Sequence, residues 1–182
     1  MPFEPMGIKG AFIFYPDRQM DLRGSFEEAF KLSVVQNELG KDFPVKQVNR
    51  SISREGVIRG IHFSTQSPGQ AKYVSCQRGK VWNVVVDLRT GSSTFGKWEG
   101  VELTPENGIS ILIAAGLGHA FVSLENDSTV NYLCSEEYNP ASEGQIDPLD
   151  KVLGITFSDV SAMHGIKNLI LSERDQFAPG FE

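Results

Sequence analysis

Lys72-Tyr73-Val74-Ser75-Cys76-Gln77-Arg78-Gly79-Lys80-Val81-Trp82-Asn83-Val84-Val85-Val86-Asp87-Leu88 is the stretch that decides the fold. β-branched and aromatic residues crowd both sides of Gln77-Arg78-Gly79-Lys80, which is the composition of two short strands about a turn. We read Lys72 to Cys76 and Val81 to Leu88 as the arms of a hairpin. Side chains alternate along a strand, so Trp82, Val84, Val86 and Leu88 share one face. The same rhythm continues outward. Apolar runs at Lys97 to Leu103, Ser110 to Ala114, Ala120 to Leu124 and Thr129 to Ser135 are short and separated by Pro, Gly, Asn or Ser. One helix is expected at Ser33 to Leu39, with Ser33 and Gln36 as a capping box and Gly40 as the stop signal. A helix this short depends on packing. The tail from Asp159 to Glu182 reads as irregular. Many strands, few helices and no βαβ alternation specify an all-β double-sheet jelly roll or barrel with short peripheral helices.

Composition narrows the function. A chain of 182 residues that is 40% hydrophobic, with no break in composition, can bury one sizeable core, so residues 1–182 are expected to form one domain. The net charge of -6 repels a phosphate backbone and no run of Lys and Arg offsets it locally, which argues against nucleic acid as a partner. The N-terminus has no basic segment leading into an apolar one, and no apolar run is long enough to cross a bilayer. A cytoplasmic protein without a membrane partner is the expectation. Cys76 and Cys134 sit in apolar, strand-like surroundings, where a reduced, buried thiol is the common outcome.

Of the three histidines, His62, His119 and His164, only the first two lie in strand-like segments. Metal-binding jelly rolls bring three or four ligands together, usually two His one residue apart on a strand with a Glu and a distant His. Here the residue two beyond His62 is Ser64, so we expect no metal. Metal-free acid–base chemistry remains, for which His62, Lys72, Tyr132 and the cations Arg23, Arg59 and Arg174 are the useful residues. By residue type alone each has a plain structural reading: a hydrogen-bonded strand His, a core Tyr, solvated Arg. Alternation places Arg59, Ile61 and Phe63 on one face of an extended segment and Gly60 and His62 on the other.

The local sequences add a resemblance. Gly56-Val57-Ile58-Arg59-Gly60-Ile61-His62-Phe63 resembles the Val-Leu-Arg-Gly-Leu-His-Phe signature of dTDP-4-dehydrorhamnose 3,5-epimerases. Other blocks follow in that family's order. Asp21-Leu22-Arg23-Gly24 with Phe26-Glu27-Glu28, then Gln47-Val48-Asn49 with Ser51, Gln70-Ala71-Lys72-Tyr73-Val74 and Gly116-Leu117-Gly118-His119-Ala120-Phe121 are similar to family elements. So are Tyr132-Leu133-Cys134-Ser135, Tyr138-Asn139-Pro140, Glu143 and Leu171-Ser172-Glu173-Arg174-Asp175. So many blocks in one order are far more specific than a single motif.

The resemblance implies a cupin-like jelly roll that epimerises carbons flanking a ketone in a dTDP-4-keto-6-deoxyhexose, with no cofactor. It makes His62 the general base, Asp175 its dyad partner, Lys72 the stabiliser of the enolate oxygen and Tyr132 the acid on the opposite face of the sugar ring. Arg23, Glu28, Gln47, Asn49, Arg59, His119, Tyr138, Glu143 and Arg174 would line the substrate site. The family forms homodimers with exchanged N-terminal strands. Val48, Leu133 and Ala114-Ala115 depart from the rhamnose-pathway pattern, and the Tyr132 to Pro140 stretch resembles an actinobacterial branch that includes antibiotic deoxysugar enzymes, some of which epimerise one carbon only. The leading expectation is therefore a 3,5-epimerase giving dTDP-4-dehydro-L-rhamnose, with a mono-epimerase as the close alternative. A binding-only cupin would lack His62, Lys72 or Tyr132, and a metal-dependent cupin oxygenase would need more ligands.

Overall fold

A computed structural model describes residues 3–181. Two sheets face each other. One has the order β1 (Phe3–Pro5), β2 (Ala11–Phe14), β10 (Ser110–Ile113), β7 (Lys72–Arg78), β12 (Ser128–Cys134), β5 (Gln47–Ser53). The other runs β13 (Glu143–Gln145), β6 (Ile58–Ser64), β11 (Leu117–Ser123), β8 (Val81–Asp87), β9 (Trp98–Leu103). A separate two-stranded arm joins β3 (Gln19–Asp21) to β4 (Gly24–Phe26). This is the double-sheet jelly roll expected from the strand rhythm.

The hairpin expectation for residues 72–88 is corrected by the topology. β7 pairs with β10 and β12, whereas β8 pairs with β11 and β9, so Gly79 and Lys80 carry the chain from one sheet to the other. Both arms bury both faces and so give no one-sided alternation that would mark them as partners. The shared face of Trp82, Val84, Val86 and Leu88 is present, and it looks outward beneath a cover formed by Leu153, Ile155, Phe157 and Ile166. Val81 and Val85 look inward and meet Val74, Cys76 and Val130 of the opposite sheet. A third cluster closes the outer face of the six-stranded sheet, where Tyr73, Phe14 and Leu112 pack under Val35 and Phe43. Each fully buried Val or Leu contributes roughly 1.5–3 kcal/mol, so these three layers carry most of the folding free energy.

α1 (Leu32–Leu39) supplies Val35 to that third cluster and ends on Gly40 in the left-handed region, as its stop signal implied. The capping box does not form. The cap is Lys31 without a side-chain bond, which puts Ser33 two places too deep. The tail is not irregular throughout: it contains α2 (Phe157–Met163), whose buried Phe157 fills the outer cluster, and α3 (Glu173–Gln176). Among the described residues no helix is long and apolar enough to cross a membrane.

Candidate active site

The apolar cluster fills one end of the sandwich; the other end opens into a cavity of about 780 Å³. β5, β12 and β7 form one wall, and β6, β11 and the C-terminal tail form the other. Along β5 the residues Gln47, Asn49, Ser51 and Ser53 point inward, while Val48, Arg50 and Ile52 point to solvent. Tyr132 from β12 and Lys72 from β7 complete that wall.

On the opposite wall the simple alternation fails, and the failure matters. His119 of β11 lies opposite His62, but two residues on, Phe121 lies opposite Arg59, so β6 carries one extra residue in a bulge. The bulge turns Arg59 and His62 toward the same cavity and leaves Ile58 and Ile61 in the outer core. Gly60 sits in the bulge at φ +115°, and a Cβ there would meet the His119 carbonyl oxygen at 2.5 Å. Only glycine fits both the dihedral and the space.

His62 Nε2 lies 2.8 Å from Asp175 Oδ1, a contact spanning 113 positions of sequence. A carboxylate only accepts, so Nε2 carries the hydrogen, and in the neutral ring the lone pair lies on Nδ1. Asp175 is 4% exposed. Burial pushes its carboxyl up, but the hydrogen bond and charge of His62, the Ser172 hydroxyl and Arg174 outweigh that and hold it below the ordinary carboxylate value. Ser172 caps α3: its Oγ accepts from the Asp175 backbone N–H at 3.1 Å and donates to Asp175 Oδ2 at 2.9 Å. The tail is pinned in turn by an isolated bridge between Val57 and Ile170 beside the start of β6.

Lys72 is 8% exposed. Burial pulls its ammonium below the usual lysine value, partly countered by the charges of Glu143 and Cys134. Burial likewise raises the Tyr132 phenol, with Cys134 adding to it and Arg59 opposing it, so the phenol keeps its proton at neutral pH. His119 is pushed well below the ordinary histidine value, first by burial and then by Lys72 and His62. Arg59 Nε donates to Ser53 Oγ at 3.0 Å, Gln47 Nε2 to Asn49 Oδ1 at 2.7 Å, and the Tyr138 backbone N–H to Gln47 Oε1 at 2.8 Å. The site thus offers a carboxylate-held imidazole on one wall, a phenol and a desolvated ammonium on the facing wall, and guanidinium groups at Arg59 and Arg174.

Residues 5–182 match the family model described as dTDP-4-dehydrorhamnose 3,5-epimerase. The chain belongs to this family. It is 46% identical over 175 residues, covering 96% of this chain and 86% of the relative, to a Streptomyces bikiniensis protein named dTDP-4-dehydro-6-deoxyglucose 3-epimerase. It is 45% identical over 179 residues, covering 98% and 85%, to the dTDP-4-dehydrorhamnose 3,5-epimerase of Mycolicibacterium smegmatis. Its fold superposes on the rmlC epimerase of Mycobacterium tuberculosis with a TM-score of 0.92 at 40% identity, covering 99% of this chain and 88% of that one. As a member of this dTDP-sugar epimerase family the chain is an isomerase.

The epimerase cavity gathers His62, Lys72, Tyr132, Asp175, Gln47, Asn49, Arg59, His119, Tyr138, Glu143 and Arg174. It does not gather Arg23 and Glu28. Arg23 lies in the turn of the β3–β4 arm, bonded to Asp21 in solvent, and Glu28 pairs with Lys31 on the surface. Sequence reasoning missed the serines. Ser51 faces the cavity with a buried hydroxyl that has no partner among the described residues, and its place two beyond Asn49 on a strand was the available signal. Ser172 was readable as the cap in Ser172-x-x-Asp175.

Proposed function

We propose that this epimerase inverts C3 and C5 of dTDP-4-dehydro-6-deoxy-D-glucose, giving dTDP-4-dehydro-L-rhamnose. The observation that carries the reading is the placement of an Asp175-held His62 and a protonated Tyr132 on facing walls of one cavity. A hydrogen on carbon beside a ketone becomes acidic only when the enolate oxygen is stabilised. Lys72, a nearly buried cation, serves that oxygen in a setting where charge interactions are poorly screened. Nδ1 of His62 takes the proton, and Asp175 keeps the ring oriented with negative charge where positive charge develops. Tyr132 then delivers a proton to the other face, and the centre is inverted. Gln47, Asn49, Arg59, His119, Tyr138, Glu143 and Arg174 hold the substrate, the guanidinium groups meeting its pyrophosphate.

Arg23 and Glu28 fit this reading only across a dimer. The arm exposes Met20, Leu22 and Phe26, and β5 ends its sheet with Val48 and Ile52 also exposed. We place the arm of each copy over the β5 edge of the other, carrying Arg23 and Glu28 to the neighbouring cavity. Two buried, unpaired thiols at Cys76 and Cys134 suit a single-domain enzyme of the reducing cytoplasm.

Inversion at one carbon only is the second reading, favoured by the likeness to the Streptomyces bikiniensis 3-epimerase. Incubation of the substrate in deuterated water, followed by proton NMR at C3 and C5, separates the two. Deuterium with inversion at both carbons is the expected result, and His62→Ala abolishes both. Incorporation at one carbon alone gives the second reading; incorporation at neither removes the enzyme assignment for this sugar.

A further inference from the structure

Asn83 lies on β8, opposite Phe121 and diagonal to His119 on the inward face of the five-stranded sheet. It is fully buried, and its Oδ1 lies 2.7 Å from His119 Nε2. Its Nδ2 has no partner among the described residues. We propose that Asn83 is a positioning residue that holds His119 as an uncharged ring with its hydrogen on Nε2, so that His119 does not serve as a second base in the site.

The amide oxygen turned toward the ring sets the direction of this bond. An amide oxygen only accepts, so Nε2 of His119 must donate and its lone pair stays on Nδ1. The charged neighbours disfavour a second positive charge. Lys72 faces His119 from β7 and His62 faces it from β6, while β12 contributes the Tyr132 ring at 6.4 Å and β11 itself the Phe121 ring at 6.2 Å. Burial acts in the same direction. The two histidines sit in register on adjacent strands, yet one meets a carboxylate and the other an amide. A carboxylate at position 83 would be a buried charge on one hydrogen bond, which is stable only against an imidazolium; the amide demands no such charge. His119 thereby takes up no proton. The kinetic part of this inference rests on His62 being the base, but the state of the His119 ring does not.

The test follows the imidazole nitrogens of the intact, isotope-labelled protein by NMR from about pH 5 to about pH 9, for the native chain and for Asn83→Asp. The native His119 is expected to remain the neutral Nε2–H form throughout. In Asn83→Asp its midpoint should rise by roughly one to three units, as for a histidine gaining a carboxylate partner, and the pH profile of α-proton exchange should gain an inflection. A native His119 that titrates near the ordinary value, or that carries its hydrogen on Nδ1, overturns the proposal. So does an Asn83→Asp ring that titrates as before. If that variant does not fold, the native tautomer and titration decide alone. A neutral His119 in a protein that exchanges neither α-proton would remove the epimerase reading and leave this one standing.

Discussion

Lys72 and Tyr132 share a wall and are asked to do different things, which makes their variants separable. In the proposed mechanism the Lys72 charge serves chemistry chiefly while the enolate exists. Lys72→Ala should lower kcat by roughly 10²–10³, in the range of losing one preorganised oxyanion donor, with KM changing far less. A change confined to KM would make Lys72 a substrate-binding group. Tyr132→Phe leaves the His62–Asp175 pair untouched, so deuterium exchange at the α-carbons should outlast inversion; equal loss of both would remove the phenol from the proton-delivery step. These side chains were legible in the sequence through the resemblance, because acid–base chemistry constrains residue identity tightly. The pairing of Asn83 with His119 was not, since an Asn within an apolar strand announces nothing until the neighbouring strand is laid beside it.

At the level of elements, β7 to β12 and the extended segment of β6 were readable, while β1 to β5 and β13 were not marked, and strand partnership was readable nowhere. Val, Ile and aromatic runs mark β7 and β8, but whether the short link between them closes a hairpin or crosses between sheets depends on what covers each outer face. The bulge in β6 was equally hidden, for Gly60 alone does not say that an extra residue is present. The corner after β8 shows how such an element is fixed. Asp87, fully buried, accepts from Arg89 and from the hydroxyls of Ser92 and Thr94. Burial pushes its carboxyl up, but these bonds more than offset that and hold it far below the usual range. A depressed carboxyl stabilises the fold above its unfolded value, about 4, and the contribution is lost as pH falls through the folded value. Asp87→Asn should therefore cost about 3 kcal/mol at neutral pH and flatten the decline in stability below about pH 4. Urea unfolding at neutral and acid pH checks this; an unchanged acid slope would mean that other carboxylates govern it.

For the whole molecule, the question is what the arm is for. Its base is clasped, Arg18 donating to Glu27 at 2.7 Å and to the carbonyl oxygens of Glu106 and Pro105 at 2.6 and 2.8 Å, while its tip stands in solvent. If the arm covers a second copy, Leu22→Asp should yield a folded monomer with strongly reduced turnover; sedimentation together with kinetics reads both. A folded monomer at full activity would show that Arg23 and Glu28 serve no neighbour's cavity. Sequence could not display this, because a fully exposed Leu22 looks the same in a list of residues as a buried one. The His62–Asp175 contact carries a last consequence. One partner sits in the sixth strand and the other in the final helix, so the barrel can be complete while the dyad is still open. A chain emerging from the ribosome can gain its base only when the last turn docks, and a protease that clips beyond Ile170 should open the dyad and strip Leu171 and Phe181 from the outer cluster in the same cut.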